Sequence, residues 1–157
     1  MNVKKTIQEK IALMKNVLEV NPFNLVIGEI QERIITEAEL NIKDGQLQDY
    51  HNFFREYGSM RCGSIVIFGK SELGDFQFPV AEMPGGFEEW ICIGKIDPYP
   101  LFINKKSGVI YCLFEDSKIK SYEGWNDFLE NYVFGERYLE IIGKDEWYEL
   151  LREQQII

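Results

Sequence analysis

Histidine is almost missing from this chain: His51 stands alone among 157 residues. A thiol nucleophile usually needs an imidazole as its base, and nothing in the sequence sets a given cysteine beside His51. Cys62, Cys92 and Cys112 are odd in number, widely spaced and without a Cys-x-x-Cys pair. That removes the usual zinc-ligand spacings and suits the inert, reduced thiols of a cytosolic protein. Serine chemistry lacks its Gly-x-Ser-x-Gly elbow. Basic residues are also scarce, 17 against 26 acids for a net charge of −9. Phosphate binding needs a basic surface, so nucleic acid is not an expected partner, whereas a basic protein is electrostatically suited. No hydrophobic run reaches the length of a membrane span. Gln8, Glu9, Lys10 and Lys15 interrupt the stretch where a signal peptide would carry its apolar core. The expectation is a cytoplasmic protein with no membrane contact, no catalytic residues, no metal and no cofactor.

Two imitations of functional motifs fail on their surroundings. Gly69-Lys70-Ser71 looks like the end of a phosphate-binding loop, but Ser64 stands where the first glycine is needed. Ile65 to Phe68 between them read as a strand and not as a flexible cradle. Glu88-Glu89 and Glu115-Asp116 are adjacent carboxylate pairs. Neighbours on a strand point to opposite faces, so adjacency alone builds no acid–base dyad.

What is present is a well-furnished core. Hydrophobic residues make up 45% of the chain and aromatics 14%, enough for one packed domain over residues 1–157 without a metal or disulfide staple. Tyr50, Phe53, Phe54 and Tyr57 recur at helical spacing and share one face of a helix predicted over about 46–57. Gly58 is the expected left-handed cap of that helix, and Ser64 to Gly69 is the expected buried strand after it. Ile7, Ile11, Met14 and Leu18 predict an amphipathic helix over 4–20, stopped by Asn21-Pro22. Residues 24–35 permit either a helix or a short extended piece. Thr36 with Glu39 reads as a capping box for a short helix, and Asp44-Gly45 as a turn.

The middle of the chain is β-rich, with strands predicted near 64–69, 76–80, 90–94, 99–104 and 108–114. Asn104 to Gly108 forms a tight hairpin between the last two. After Phe114 the helical period returns in Trp125, Phe128, Leu129 and Tyr132, then in Trp147, Tyr148, Leu150 and Leu151 past Gly143. Helices, then a meander of strands, then helices predict an α+β single domain. Its central sheet would be mainly antiparallel, flanked by N-terminal and C-terminal helices.

The stretch Ser71–Trp90 is chemically lopsided. It holds Glu72, Asp75, Glu82, Glu88 and Glu89 with no lysine or arginine, beside Phe76, Phe78, Met83, Phe87 and Trp90. Pro79 and Pro84-Gly85-Gly86 imply turns. Aromatics supply hot-spot burial and carboxylates supply steering, which is what a site for a basic protein would use. Strand aromatics facing the core and acids keeping the chain soluble are the plainer reading of the same residues. Asp75, Glu88, Glu89 and Asp97 are the candidate partner-binding residues, with Glu115 and Asp116 as weaker candidates.

The order of these elements resembles the SUKH superfamily, which includes bacterial immunity proteins and fungal cell-wall regulators. Four segments carry the resemblance: Glu39-Leu40-Asn41-Ile42, then Tyr50-x-x-Phe53-Phe54-x-x-Tyr57-Gly58, then Ile65-Val66-Ile67-Phe68-Gly69, and finally Ser107 to Tyr111 with Trp125 to Leu129. They span about residues 36–132 and depend on order and spacing more than on any one motif. The family's Leu-Pro before its helix is replaced here by Gln46-Leu47, and residues 71–90 match no functional motif of the family. The resemblance implies a single α+β domain without catalysis that binds and neutralises a cognate bacterial toxin domain in the cytosol. A basic nuclease is among the toxins it would fit. The alternatives are a regulatory protein-interaction scaffold without a toxin partner and a hydrolase using one of the thiols.

Overall fold

The computed structural model describes residues 5–32, 47–114 and 119–157. The expected capping box at Thr36 and Glu39, the Asp44-Gly45 turn, and Glu115 and Asp116 lie outside the described residues.

The chain folds as α+β around a seven-stranded antiparallel sheet in which each strand pairs with the next in sequence. The strands are β1 (Gly28–Glu32), β2 (Tyr57–Cys62), β3 (Ile65–Ile67), β4 (Trp90–Ile96), β5 (Tyr99–Asn104), β6 (Ile110–Leu113) and β7 (Ile119–Tyr122). Among the described residues one helix precedes the strands, two lie between strands and three follow them. They are α1 (Ile7–Val20), α2 (Gln48–Glu56), α3 (Lys70–Asp75), α4 (Trp125–Asp127), α5 (Tyr138–Ile141) and α6 (Glu146–Glu153).

Residues paired across an antiparallel ladder share a face. Met60, Ile67, Gly94, Leu101 and Cys112 form one such row, and Ile103, Ile110 and Tyr122 another. Every side chain in both rows is buried, so this face carries the core. Helix α1 covers it with Ile11, Met14 and Leu18. Gly28 keeps room for α6: a Cβ there would lie 3.2 Å from the Trp147 ring and 2.4 Å from the Arg61 carbonyl. On the opposite face Glu29 is exposed, and Arg61, Val66 and Lys95 are half-buried.

Helix α1 begins where Thr6 accepts a hydrogen bond from the Glu9 N–H at 3.2 Å, and it ends at Asn21 as expected. Residues 22–26 then make a 3₁₀ turn and 28–32 a strand, so the extended alternative holds over 28–32, while 33–35 lie outside the described residues. Helix α2 buries Tyr50, Phe53 and Phe54. Trp125 binds two of these rings into the core, with centroids 5.0 Å from Tyr50 and 4.8 Å from Phe53.

Gly58 does not cap α2. Tyr57 is already extended, at φ −121° and ψ 148°, and Gly58 lies inside β2. Pairing of Tyr57 with Glu32 of β1 takes over where a left-handed turn was expected. Helix α4 continues into a π-helical turn, Phe128–Val133, closed by the Phe134 N–H donating to the Leu129 carbonyl at 2.9 Å. The wider turn buries Phe128, Leu129, Tyr132 and Val133 together.

The strand expected at 76–80 is absent. Phe78–Glu82 is a 3₁₀ turn with Pro79 in its first positions, where a missing N–H costs nothing. The hairpin at Asn104–Gly108 forms as predicted. The Asn104 side-chain oxygen accepts from the Lys106 and Ser107 N–H groups at 2.9 and 3.0 Å, and Gly108 takes φ +77°.

Candidate partner-binding surface

Strand β3 stops at Ile67, and the chain does not rejoin the sheet until Trp90. Leu73 of α3 and Val80 of the 3₁₀ turn point inward, at 4% and 0% exposure, and hold the excursion to the core. Gln77 fastens its middle: the side-chain amide accepts from the Cys92 N–H at 3.0 Å and donates to the Cys92 carbonyl at 2.7 Å. It thereby substitutes for the strand that β4 lacks beyond the end of β3.

The return leg is pinned from three directions. The Trp90 indole donates to the Pro84 carbonyl at 2.8 Å, the Lys105 ammonium donates to the Phe87 carbonyl at 2.5 Å, and the Lys105 N–H donates to the Glu89 carbonyl at 2.7 Å. Gly85 and Gly86 take φ +92° and +57°, conformations that the Pro84-Gly85-Gly86 turn requires.

Because the inward positions are filled by Leu73 and Val80, the phenylalanines go outward. Phe76, Phe78 and Phe87 are 44%, 72% and 54% exposed. Phe76 rests partly on Phe68, with ring centroids 5.4 Å apart. Asp75, Glu82 and Glu88 are exposed on the same excursion. Three exposed phenylalanines and three exposed carboxylates thus share one excursion, whose backbone is held by Gln77, Trp90 and Lys105. Covering one such phenylalanine with a partner is worth roughly 1.5–3 kcal/mol, whereas rim carboxylates act mainly on association rate and specificity.

The candidate carboxylates do not form one group. Asp75 and Glu88 belong to this surface. Glu89 is half-buried and ion-paired with Lys106 at 3.0 Å. Asp97 lies past the far end of β4, about 20 Å of strand away at ~3.3 Å per residue, and its carboxylate is 3.4 Å from Lys95. Lys105 and Lys106 were not legible as part of the site. They come from the β5–β6 hairpin, and only the fold lays them against the acidic loop.

The thiols are unsuited to attack as they stand. Cys62, Cys92 and Cys112 are all buried and free. Cys92 donates to the Gly94 carbonyl at 3.5 Å and Cys112 to the Tyr99 carbonyl at 3.9 Å. Burial pushes the Cys112 thiol up to about 12, and burial raises the Cys62 and Cys92 thiols too. His51 is buried at 8% exposure, and its Nε2 has no hydrogen-bond partner among the described residues. Among the described residues no His, Cys, Asp or Glu side chains cluster in a way that could hold a metal ion. Among the described residues no helix is long and apolar enough to cross a membrane.

A polar cleft of about 520 Å³ lies between the start of α1, α2 and Trp125. Its walls carry both signs of charge, from Lys5, Lys10, Asp49 and Glu130, so it offers no single ligand chemistry. No family model, curated protein or solved structure matches the chain.

Proposed function

We propose that this chain is a non-catalytic immunity protein that binds and neutralises a cognate toxin domain in the cytoplasm. The observation that carries the proposal is the outward placement of Phe76, Phe78 and Phe87 on a fastened backbone excursion that also carries exposed Asp75, Glu82 and Glu88. A monomer gains nothing from exposing three phenylalanines on one segment; a protein-binding surface does. Pinning the backbone lowers the ordering cost of association. The net charge of −9 favours a basic partner such as a nuclease. The resemblance of the aromatic helix, the strand after it and the late hairpin to the SUKH superfamily supports an immunity role over other binding roles.

Inhibition would be stoichiometric: the phenylalanines bury against the toxin, the carboxylates meet its basic residues, and its active site is covered or distorted. Co-expression with a cognate toxin domain tests this directly. Wild-type protein should protect the cells, and Phe78→Ala with Phe87→Ala should not, at equal expression. His51→Ala combined with substitution of the three cysteines should still protect wherever the variant remains folded. Protection that depends on a thiol would contradict the proposal.

A further inference from the structure

A second surface lies at the opposite end of the sheet and is independent of that reading. Val20, Phe23, Leu25 and Val26 are 73%, 84%, 45% and 81% exposed within one short stretch of chain. This knuckle is fastened from below. The Arg61 guanidinium donates to the Leu25 and Val26 carbonyls, the latter at 3.1 Å. The Asn21 side chain accepts from the Phe23 N–H at 3.1 Å, and the Asn24 amide donates to the Val17 carbonyl at 3.1 Å. Polar groups thus hold the backbone while the apolar tips face solvent, the inverse of what a solvated turn needs.

Acidic clefts flank the knuckle on both sides. One, of about 480 Å³, is walled by Asn24 and Ile27 against Glu146, Glu149 and Glu153 of α6, with one cation, Lys144, beside Asp145 in its wall. The other, of about 340 Å³, lies beside Leu25 with Glu19 and Glu29. Glu146 and Glu149 sit in the first turn of α6, where negative charge suits the helix dipole, but Glu153 ends α6 and Glu19 stands in the last turn of α1. A carboxylate at a helix C-terminus works against the dipole, so the dipole does not account for these two. Lys15 offsets Glu19 through an ion pair.

From this juxtaposition we infer that the knuckle is a second protein-docking surface, whose occupant is a basic amphipathic segment of a partner protein. Its apolar side seats on Phe23 and Val26, and its lysines or arginines reach the carboxylates in the two clefts. A second copy of this chain does not fit, because it would bring acidic rims together on a molecule already at −9.

The test is titration of the full chain with a synthetic cationic helix, leucines along one face and lysines on the flanks, and with its glutamate-for-lysine twin. Binding is followed by amide NMR shifts. The cationic helix should bind with shifts at 20–27 and 145–153, and the acidic twin should not bind. Phe23→Ser with Val26→Ser should weaken binding about tenfold or more. Glu149→Lys with Glu153→Lys should weaken it and flatten its salt dependence. Phe78→Ser should leave binding at these residues unchanged. All of these positions are exposed, so an unchanged melting temperature confirms that each variant folds. The inference is overturned by absence of binding, by equal binding of the acidic twin, or by shifts confined to 71–90. It is also overturned if the Phe23→Ser, Val26→Ser variant binds normally, or if that variant abolishes a concentration-dependent dimer.

Discussion

The side-chain amide of Gln77 hydrogen-bonds both backbone groups of Cys92, accepting at 3.0 Å and donating at 2.7 Å. One residue thereby completes the open edge of β4 and fixes the excursion that carries Phe76, Phe78 and Phe87. Gln77→Ala leaves a buried N–H and C=O without their partner, at about 1–3 kcal/mol for each unsatisfied group. Chemical denaturation should show that loss, and proteolysis between residues 70 and 90 should accelerate. Gln77→Glu should be no rescue, because a carboxylate cannot donate to the Cys92 and Leu73 carbonyls that the amide now serves.

Gly94 and Gly74 should respond oppositely to alanine. A Cβ at Gly94 would sit 2.0 Å from the Val66 carbonyl oxygen across the β3–β4 ladder, and one at Gly74 would meet nothing within 4 Å. Gly94→Ala should destabilise by about 3 kcal/mol or more, through backbone displacement in the central sheet. Gly74→Ala, inside α3, should stabilise by up to about 1 kcal/mol from helix propensity and reduced unfolded-state entropy. Denaturant midpoints of the two variants decide both.

Asp145 serves two elements at once. One oxygen caps α6 by accepting from the Tyr148 N–H at 3.0 Å, and the other accepts from the Tyr138 hydroxyl at 2.5 Å. Asp145→Ala should cost about 2–3 kcal/mol, as a lost cap plus a buried hydroxyl left without its acceptor. Asp145→Asn keeps a capping oxygen and should lose less than half of that in thermal unfolding.

Stability should fall in alkali. Burial raises the Cys112 thiol to about 12 from an ordinary 9.0, and burial raises the Cys62 thiol and the Tyr50, Tyr122 and Tyr138 hydroxyls as well. A folded-state value above the unfolded one means that the native protein holds its protons more tightly. The stabilisation is therefore complete below the unfolded value and is lost as pH climbs towards the folded one. Melting temperature should be insensitive to these groups up to about pH 8 and decline between about pH 9 and 12. A disulfide reagent at pH 8 should leave the native thiols unmodified and titrate all three after unfolding.

Much of the frame was legible because it rests on local patterns. The period of Ile7 to Leu18, the apolar runs Trp90–Ile93 and Leu101–Ile103, and the Asn104–Gly108 turn each encode an element by themselves. Strand β2 was not legible, since the alternation Ser59-Met60-Arg61-Cys62 is only four residues long and follows a glycine suited to a helix cap, and its pairing with β1 supplies the order. Phe76 and Phe78 look like core residues in one dimension. Only the filling of the inward positions by Leu73 and Val80, and the docking of Gln77 on Cys92, turns them outward. The acidic candidates were selected by composition, which cannot register that Asp97 stands at the far end of β4 or that Lys106 reaches Glu89.

The central claim is that a protein partner is held by the Phe76–Phe78–Phe87 surface and its acidic rim. Calorimetric affinity for a cognate toxin domain tests it most directly, comparing wild-type protein with Phe78→Ala and Glu88→Lys at two salt concentrations. Tight one-to-one binding is predicted, weakened about 30-fold or more by Phe78→Ala as for a hot-spot residue, with Glu88→Lys slowing association and reducing the salt dependence. Absence of binding, or affinities of both variants equal to wild type, would contradict the account.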